Sequence, residues 1–132
     1  MLNSLIVGVG GALGSIARYW MSYAITRLWG DAMPWGTILV NISGCFIIGL
    51  FSAATLSKGL MPVSHNMREF FMVGICGGYT TFSAFSLQTL NLADQGQWMR
   101  AAANVVLSVV LCLVAVWLGH LLAVQLNSSK AA

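Results

Sequence analysis

The residues best suited to chemistry are amides and hydroxyls at helical spacing. Thr37, Asn41 and Gly44 fall in one narrow arc when plotted at about 100° per residue. Asn104, Ser108 and Cys112 follow one another at intervals of four, and Phe82, Phe85, Ser86 and Thr89 share a face. Arg18 is a lone cation in an otherwise apolar, glycine-rich stretch, while Asp31, Glu69 and Asp94 all sit in or beside polar linkers. Short hydrogen-bonding side chains with one buried positive charge suit a small anion. A proton-coupled exporter or cation carrier usually needs a carboxylate at membrane depth, and no nucleophile–base pair is present for an enzyme. Single Ser and Thr residues also serve interhelical hydrogen bonding, worth ~1 kcal/mol per contact. Three stripes, one with an asparagine near midspan, point to a polar path.

These residues must be carried by membrane-spanning helices. Of the 132 residues, 58% are hydrophobic and 7% charged, against roughly a quarter charged in a soluble domain. Windows 34–57, 70–92 and 101–126 hold no Asp, Glu, Lys or Arg, and each exceeds the ~20 residues that cross the hydrocarbon. A fourth window, 5–29, is interrupted only by Arg18 and Arg27. The expectation is an all-α integral membrane protein with one domain over 1–132. Its four transmembrane helices fall near 3–28, 34–56, 68–91 and 98–125. The first segment lacks the basic n-region and cleavage site of a signal peptide, and the linkers leave no room for a soluble domain. Arg18 would lie about ten residues from the end of its helix, ~15 Å at 1.5 Å per residue. It therefore needs a water-filled vestibule or carbonyl partners. Gly8, Gly10, Gly11 and Gly14 on the same helix read as close-packing positions.

Charge does not choose an orientation. With four spans, Lys58, Arg68 and Lys130 lie on one side and Arg18, Arg27 and Arg100 on the other. A chain without positive-inside bias is expected to insert both ways up and to pair as an antiparallel homodimer. Cys45, Cys76 and Cys112 fall in three different spans, with no CxxC, and read as small buried hydrophobes. His65 and His120 suggest no metal.

The sequence GICGGYTTFSAFS, residues 74–86, lies in mid-span. Each glycine costs about 1 kcal/mol in a helix relative to Ala, and Thr80 and Thr81 offer hydroxyls that compete for backbone bonds. The third helix is expected to break near 77–81. Backbone groups freed at the midplane are tolerated where they line a cavity or bind something, and two breaks meeting on a two-fold axis could hold a cation. Phe82 and Phe85 present ring edges carrying the positive part of the quadrupole, weak ligands of the kind that fast conduction requires.

The chain resembles the Fluc/CrcB family of fluoride channels along nearly its whole length. GGALGSIARYW (10–20), PWGTILVNISG (34–44) and GICGGYTTFSAFS (74–86) carry the likeness, the last being close to the family's GGLTTFSTFS signature. The resemblance implies a dual-topology antiparallel homodimer in the bacterial inner membrane, multi-pass, passively exporting cytoplasmic fluoride through two pores. It implies that Asn41, Phe82 and Phe85 are pore residues, with Thr37, Ser108, Ser83 and Ser86 as polar positions along the pore and Arg18 in the vestibule. The backbone carbonyls of Gly77 and Thr80 match those that hold a structural Na⁺ shared by both subunits. The implied partners are fluoride, Na⁺, a second copy of the chain and the lipid bilayer, with no nucleic acid. Ala84 departs from the family's usual Thr and Tyr79 from its usual Leu, and Cys112 stands where a hydroxyl is common.

Two other readings compete. A small dual-topology multidrug exporter has similar length and helix number, but it would need a membrane-embedded glutamate in the first helix, and this chain has none. A non-conducting membrane assembly subunit would leave fluoride flux unchanged when deleted.

Overall fold

The computed structural model describes residues 1–56 and 60–131. Lys58, one of the six charges weighed above, lies outside the described residues. Among those described the protein is all-helical, with no strand. The elements are α1 (Leu2–Trp29), α2 (Trp35–Ala54), α3 (His65–Arg68), a π-helical stretch (Glu69–Cys76), α4 (Gly77–Tyr79), α5 (Phe82–Asp94) and α6 (Trp98–Ala131). Three segments are long and apolar enough to cross a membrane: Trp35–Ala54, His65–Asp94 and Trp98–Ser129. Helix α1, with 28 residues, has the length, but its glycines, serines and arginines dilute its apolar character.

Boundaries differ from the sequence reading for identifiable reasons. Helix α2 ends at Ala54 rather than 56. Thr55 leaves the helical region (φ −103°, ψ 14°), and its hydroxyl donates to the Phe51 carbonyl at 2.6 Å. Arg68 then donates to the Ser52 carbonyl at 3.2 Å and to the Thr55 hydroxyl, closing the end of α2 with a cation. Helix α6 continues beyond 125 to Ala131. Its Asn127 ties down the preceding loop, accepting from the Leu60 amide at 2.8 Å and donating to the Ala53 carbonyl at 3.2 Å.

The third span starts earlier than expected, at His65, capped by the Ser64 hydroxyl accepting from the Met67 amide. Gly77 and Gly78 remain helical. The interruption falls on the two threonines, which are extended (Thr80 φ −79°, ψ 157°; Thr81 φ −151°, ψ 115°). β-Branched residues favour that conformation, and the Thr81 hydroxyl caps the restarted helix by accepting from the Ala84 amide at 3.2 Å.

Gly74 and Gly78 of the third span serve packing against α1 instead. A Cβ on Gly14 would lie 2.2 Å from the Ile75 carbonyl oxygen, and one on Gly78 would lie 2.4 Å from that of Gly11. Gly10 is equally crowded, by Phe70, whereas Gly8 and Gly11 have open space where a Cβ would go. Of the four glycines of α1, then, only Gly10 and Gly14 require a missing side chain. Contacts between α1 and the third span advance in the same chain direction, from Gly10 against Phe70 to Arg18 against Thr80. The same holds for α2 and α6, where Gly49 meets Val116 and Ala53 meets Asn127.

Candidate functional site

The break is held open by a side chain from another helix. In an uninterrupted helix the Thr81 amide would close on the Gly77 carbonyl. Here it donates to Asn41 Oδ1 at 2.7 Å, while Asn41 Nδ2 donates to the Thr81 carbonyl at 3.0 Å. Asn41 is buried on α2, and this pairing fixes which end of its amide is the donor. Nδ2 carries two hydrogens, so one remains after the bond to Thr81. Two other carbonyls of the break find partners from α1. Ser15 Oγ donates to Gly78 O at 3.4 Å, and Arg18 donates to Thr80 O at 3.3 Å.

Asn41, Thr80, Thr81, Phe82, Phe85 and Ser108 border a cavity of about 290 Å³ that extends past Cys45 and Cys112. The Phe82 and Phe85 rings lie 5.1 Å apart, tilted by 52°. Phe85 is 7% exposed and Phe82 76%, so the second ring stands on the outer face of the single chain. Ser108 Oγ donates to Asn104 Oδ1 at 3.4 Å, and Asn104 Nδ2 donates to Thr89 Oγ1 at 2.8 Å. This chain of hydrogen bonds links α6 to α5 through the core, since Asn104 is 1% exposed.

Thr37 and Arg18 border a second cavity, about 460 Å³, together with Ser15, Thr81, Ala84 and Gln88. Thr81 borders both cavities. The residues expected along a polar path therefore divide into two groups that meet at the break. Ser83 and Ser86 join neither. The Ser83 hydroxyl pairs with that of Thr81 at 3.2 Å, and Ser86 donates to the Phe82 carbonyl at 2.9 Å, both on the exposed face of α5. Tyr79 places its hydroxyl 3.0 Å from that of Ser43, and Ala84 leaves that position of the second cavity without a hydroxyl.

Thr81, Gln88 and Asn104 complete the arrangement. Gln88 Oε1 is buried without a partner beside the second cavity. Thr81, Ala84 and Gln88 are spaced three and four apart, a helical-face signal legible in the sequence. The role of Thr81 is not legible there, because it depends on a side chain forty positions away.

Gly77 and Thr80 were expected to offer carbonyls to a cation. Gly77 is exposed on the single chain, and a Cβ there would meet only the Met72 carbonyl at 3.9 Å, so its surroundings are open. Its carbonyl is relieved of its helical partner by Asn41. Carbonyl oxygens suit a hard cation, so the donor set fits, with the Thr80 oxygen also accepting from Arg18. Among the described residues no group of three or more His, Cys, Asp or Glu could hold a metal.

Fold and site together define a multi-pass helical membrane protein with a hydrogen-bonding cavity at a broken span. A family model described as CrcB-like protein, Camphor Resistance (CrcB), matches residues 5–120, and the chain belongs to that family. It is 58% identical over 126 residues to the fluoride-specific ion channel FluC of Rhodospirillum rubrum, covering 96% of this chain and 98% of that protein. It is 50% identical over 131 residues to the protein of the same name from Methylocella silvestris, covering 99% and 100%. A third FluC, from Opitutus terrae, is 55% identical over 126 residues, covering 96% of each.

Proposed function

We propose that the protein is a fluoride-selective channel, not an enzyme, that lets cytoplasmic fluoride leave passively across the bacterial inner membrane. The observation that carries this reading is the cavity in which Asn41, Thr81, Phe82, Phe85 and Ser108 converge, in a chain whose full-length relatives are named for that ion. Fluoride is small and strongly hydrated. To enter an apolar span it needs donors that replace part of its water without binding it tightly. Arg18 raises the local anion concentration at the second cavity. The remaining Asn41 N–H offers a hydrogen bond, the Ser108 hydroxyl offers a second on turning from Asn104, and the Phe82 and Phe85 edges offer weak positive potential. Among the described residues no carboxylate borders either cavity, so no negatively charged side chain there repels the ion.

The assembly in this reading is an antiparallel homodimer with four spans per subunit, α1 included. Support comes from the exposed Phe82, which a second copy would cover, and from the near-balanced charges. A two-fold axis would give two equivalent pores. It would also bring together Gly77 and Thr80 carbonyls from both subunits around one Na⁺, which would supply charge stabilisation of the facing breaks. The multidrug-exporter alternative has no support in a carboxylate at depth.

The test is fluoride efflux from proteoliposomes loaded with KF. Valinomycin carries the counter-ion, a fluoride electrode reads the flux, and KCl-loaded vesicles serve as control. Rapid fluoride loss with retained chloride is the expected result. Retention of both ions by protein shown to be dimeric would overturn the reading and favour the non-conducting subunit.

A further inference from the structure

We propose that Cys45 and Cys112 form a two-sulfur site for a soft metal cation, of the Hg²⁺, Ag⁺ or Cu⁺ type, in the wall of the ion cavity. Both side chains border the cavity that holds Asn41, Phe85 and Ser108. Cys45 lies four residues after Asn41 on α2, and Cys112 four after Ser108 on α6. Each thiol therefore sits one turn beyond a polar cavity residue, on the same helix face. One turn further on, the helices touch backbone to backbone, since a Cβ on Gly49 would lie 2.2 Å from the Val116 carbonyl oxygen. This close approach of α2 and α6 sets the two cysteines side by side in the wall of one cavity. All three cysteines are free. Cys76 does not border the cavity.

The donor set selects the metal class. Thiolates prefer soft ions, and a structural zinc site takes four ligands. No third His, Cys, Asp or Glu joins the pair among the described residues, so the site suits ions content with two sulfurs in a linear arrangement. With Hg²⁺, two S–H bonds break and two Hg–S bonds form. Both protons go to water through the cavity, no atom changes oxidation state, and the product is neutral. With a monovalent ion one sulfur keeps its proton, and the product is again neutral. Neutrality suits apolar surroundings, where net charge is costly. A metal held one turn from Asn41 and Ser108 would fill the cavity and block the ion path, a consequence that rests on the fluoride-channel reading.

The experiment titrates the purified full-length protein with HgCl₂ and follows the ultraviolet thiolate-to-mercury charge-transfer band. One Hg²⁺ per chain is expected. Cys45→Ser and Cys112→Ser should each weaken binding by about 100-fold, the gain a second tethered ligand typically provides. Cys76→Ser should bind as the wild type does. X-ray absorption at the mercury edge of the wild-type protein should show two sulfur neighbours, which keeps the test independent of how the variants fold. A single sulfur neighbour, an absent band, or undiminished binding in both single variants would overturn the site. In proteoliposomes, one equivalent of Hg²⁺ should stop wild-type fluoride efflux reversibly with excess dithiothreitol. Flux that persists with the metal bound overturns the blockade. A wild-type protein with no flux at all would defeat the channel reading, and the band and sulfur count would still decide the site.

Discussion

Asn41 on α2 and Thr81 in the broken span exchange two hydrogen bonds, 2.7 Å from the Thr81 amide and 3.0 Å to its carbonyl. A side-chain amide thus satisfies both backbone groups of a residue that has left the helix. Asn41→Ala strands both groups, and each unsatisfied group costs roughly 1–3 kcal/mol. Asn41→Asp keeps an acceptor for the Thr81 amide but sets a carboxylate against the Thr81 carbonyl and in the cavity. Both variants should lose fluoride efflux, with Asn41→Ala melting lower. An Asn41→Ala protein with a wild-type melting curve would show that the pairing does not hold the break.

The two phenylalanines should separate by stability while agreeing in flux. Phe85 is buried and Phe82 is 76% exposed on the single chain. Phe85→Ile should cost roughly 0.5–3 kcal/mol of stability, the usual span for a single substitution, and Phe82→Ile much less. Both should slow fluoride efflux sharply in protein that is still dimeric. Wild-type efflux in both would remove the rings from the ion path.

Packing of α1 against the third span gives a paired comparison. Gly14→Ala places a Cβ against the Ile75 backbone, whereas Gly8→Ala meets open space within 4 Å. Backbone atoms cannot move aside as a flexible side chain can, so Gly14→Ala should cost on the order of 1–3 kcal/mol. Gly8→Ala should gain slightly from helix propensity. Thermal unfolding in detergent decides between them, and equal melting temperatures would mean that the close approach at Gly14 is not required.

Exchange of Na⁺ for a large organic cation should lower the thermal stability of the assembled protein or increase subunit exchange. Cation binding to the native state alone stabilises in proportion to the logarithm of its concentration over Kd. A melting temperature indifferent to Na⁺ from micromolar to hundreds of millimolar would count against a cation at the Gly77 and Thr80 carbonyls.

Helical period put Asn41, Phe82, Phe85 and Ser108 on three separate polar or aromatic stripes, and their grouping as one set came from the family resemblance. The sequence also placed a break in the third span, because two glycines and two threonines weaken a helix locally. It mislocated the break by assigning part of it to the glycines. Gly77 and Gly78 stay helical because Gly78 lies against the Gly11 backbone, and the extended residues are the two threonines, whose backbone Asn41 pairs. Local propensity counts the cost of each residue in isolation, whereas the position of the break depends on which backbone groups find partners on neighbouring helices.

Composition and the uncharged windows were enough to call for a helical membrane protein, and the scarcity of acidic residues to point to a small anion, since hydrophobic length and charge are properties of the chain itself. Tertiary structure decided which polar residues meet. It joined Asn41 to Thr81, linked Ser108 through Asn104 to Thr89 and left Ser83 and Ser86 on the outer face of α5. It also brought Cys45 and Cys112, which read separately as ordinary apolar fillers, to one cavity wall. The physical reason is common to all of these. Helical periodicity fixes which side chains share a face, but only the close approach of particular helices, set by glycines such as Gly14 and Gly49, determines which faces meet.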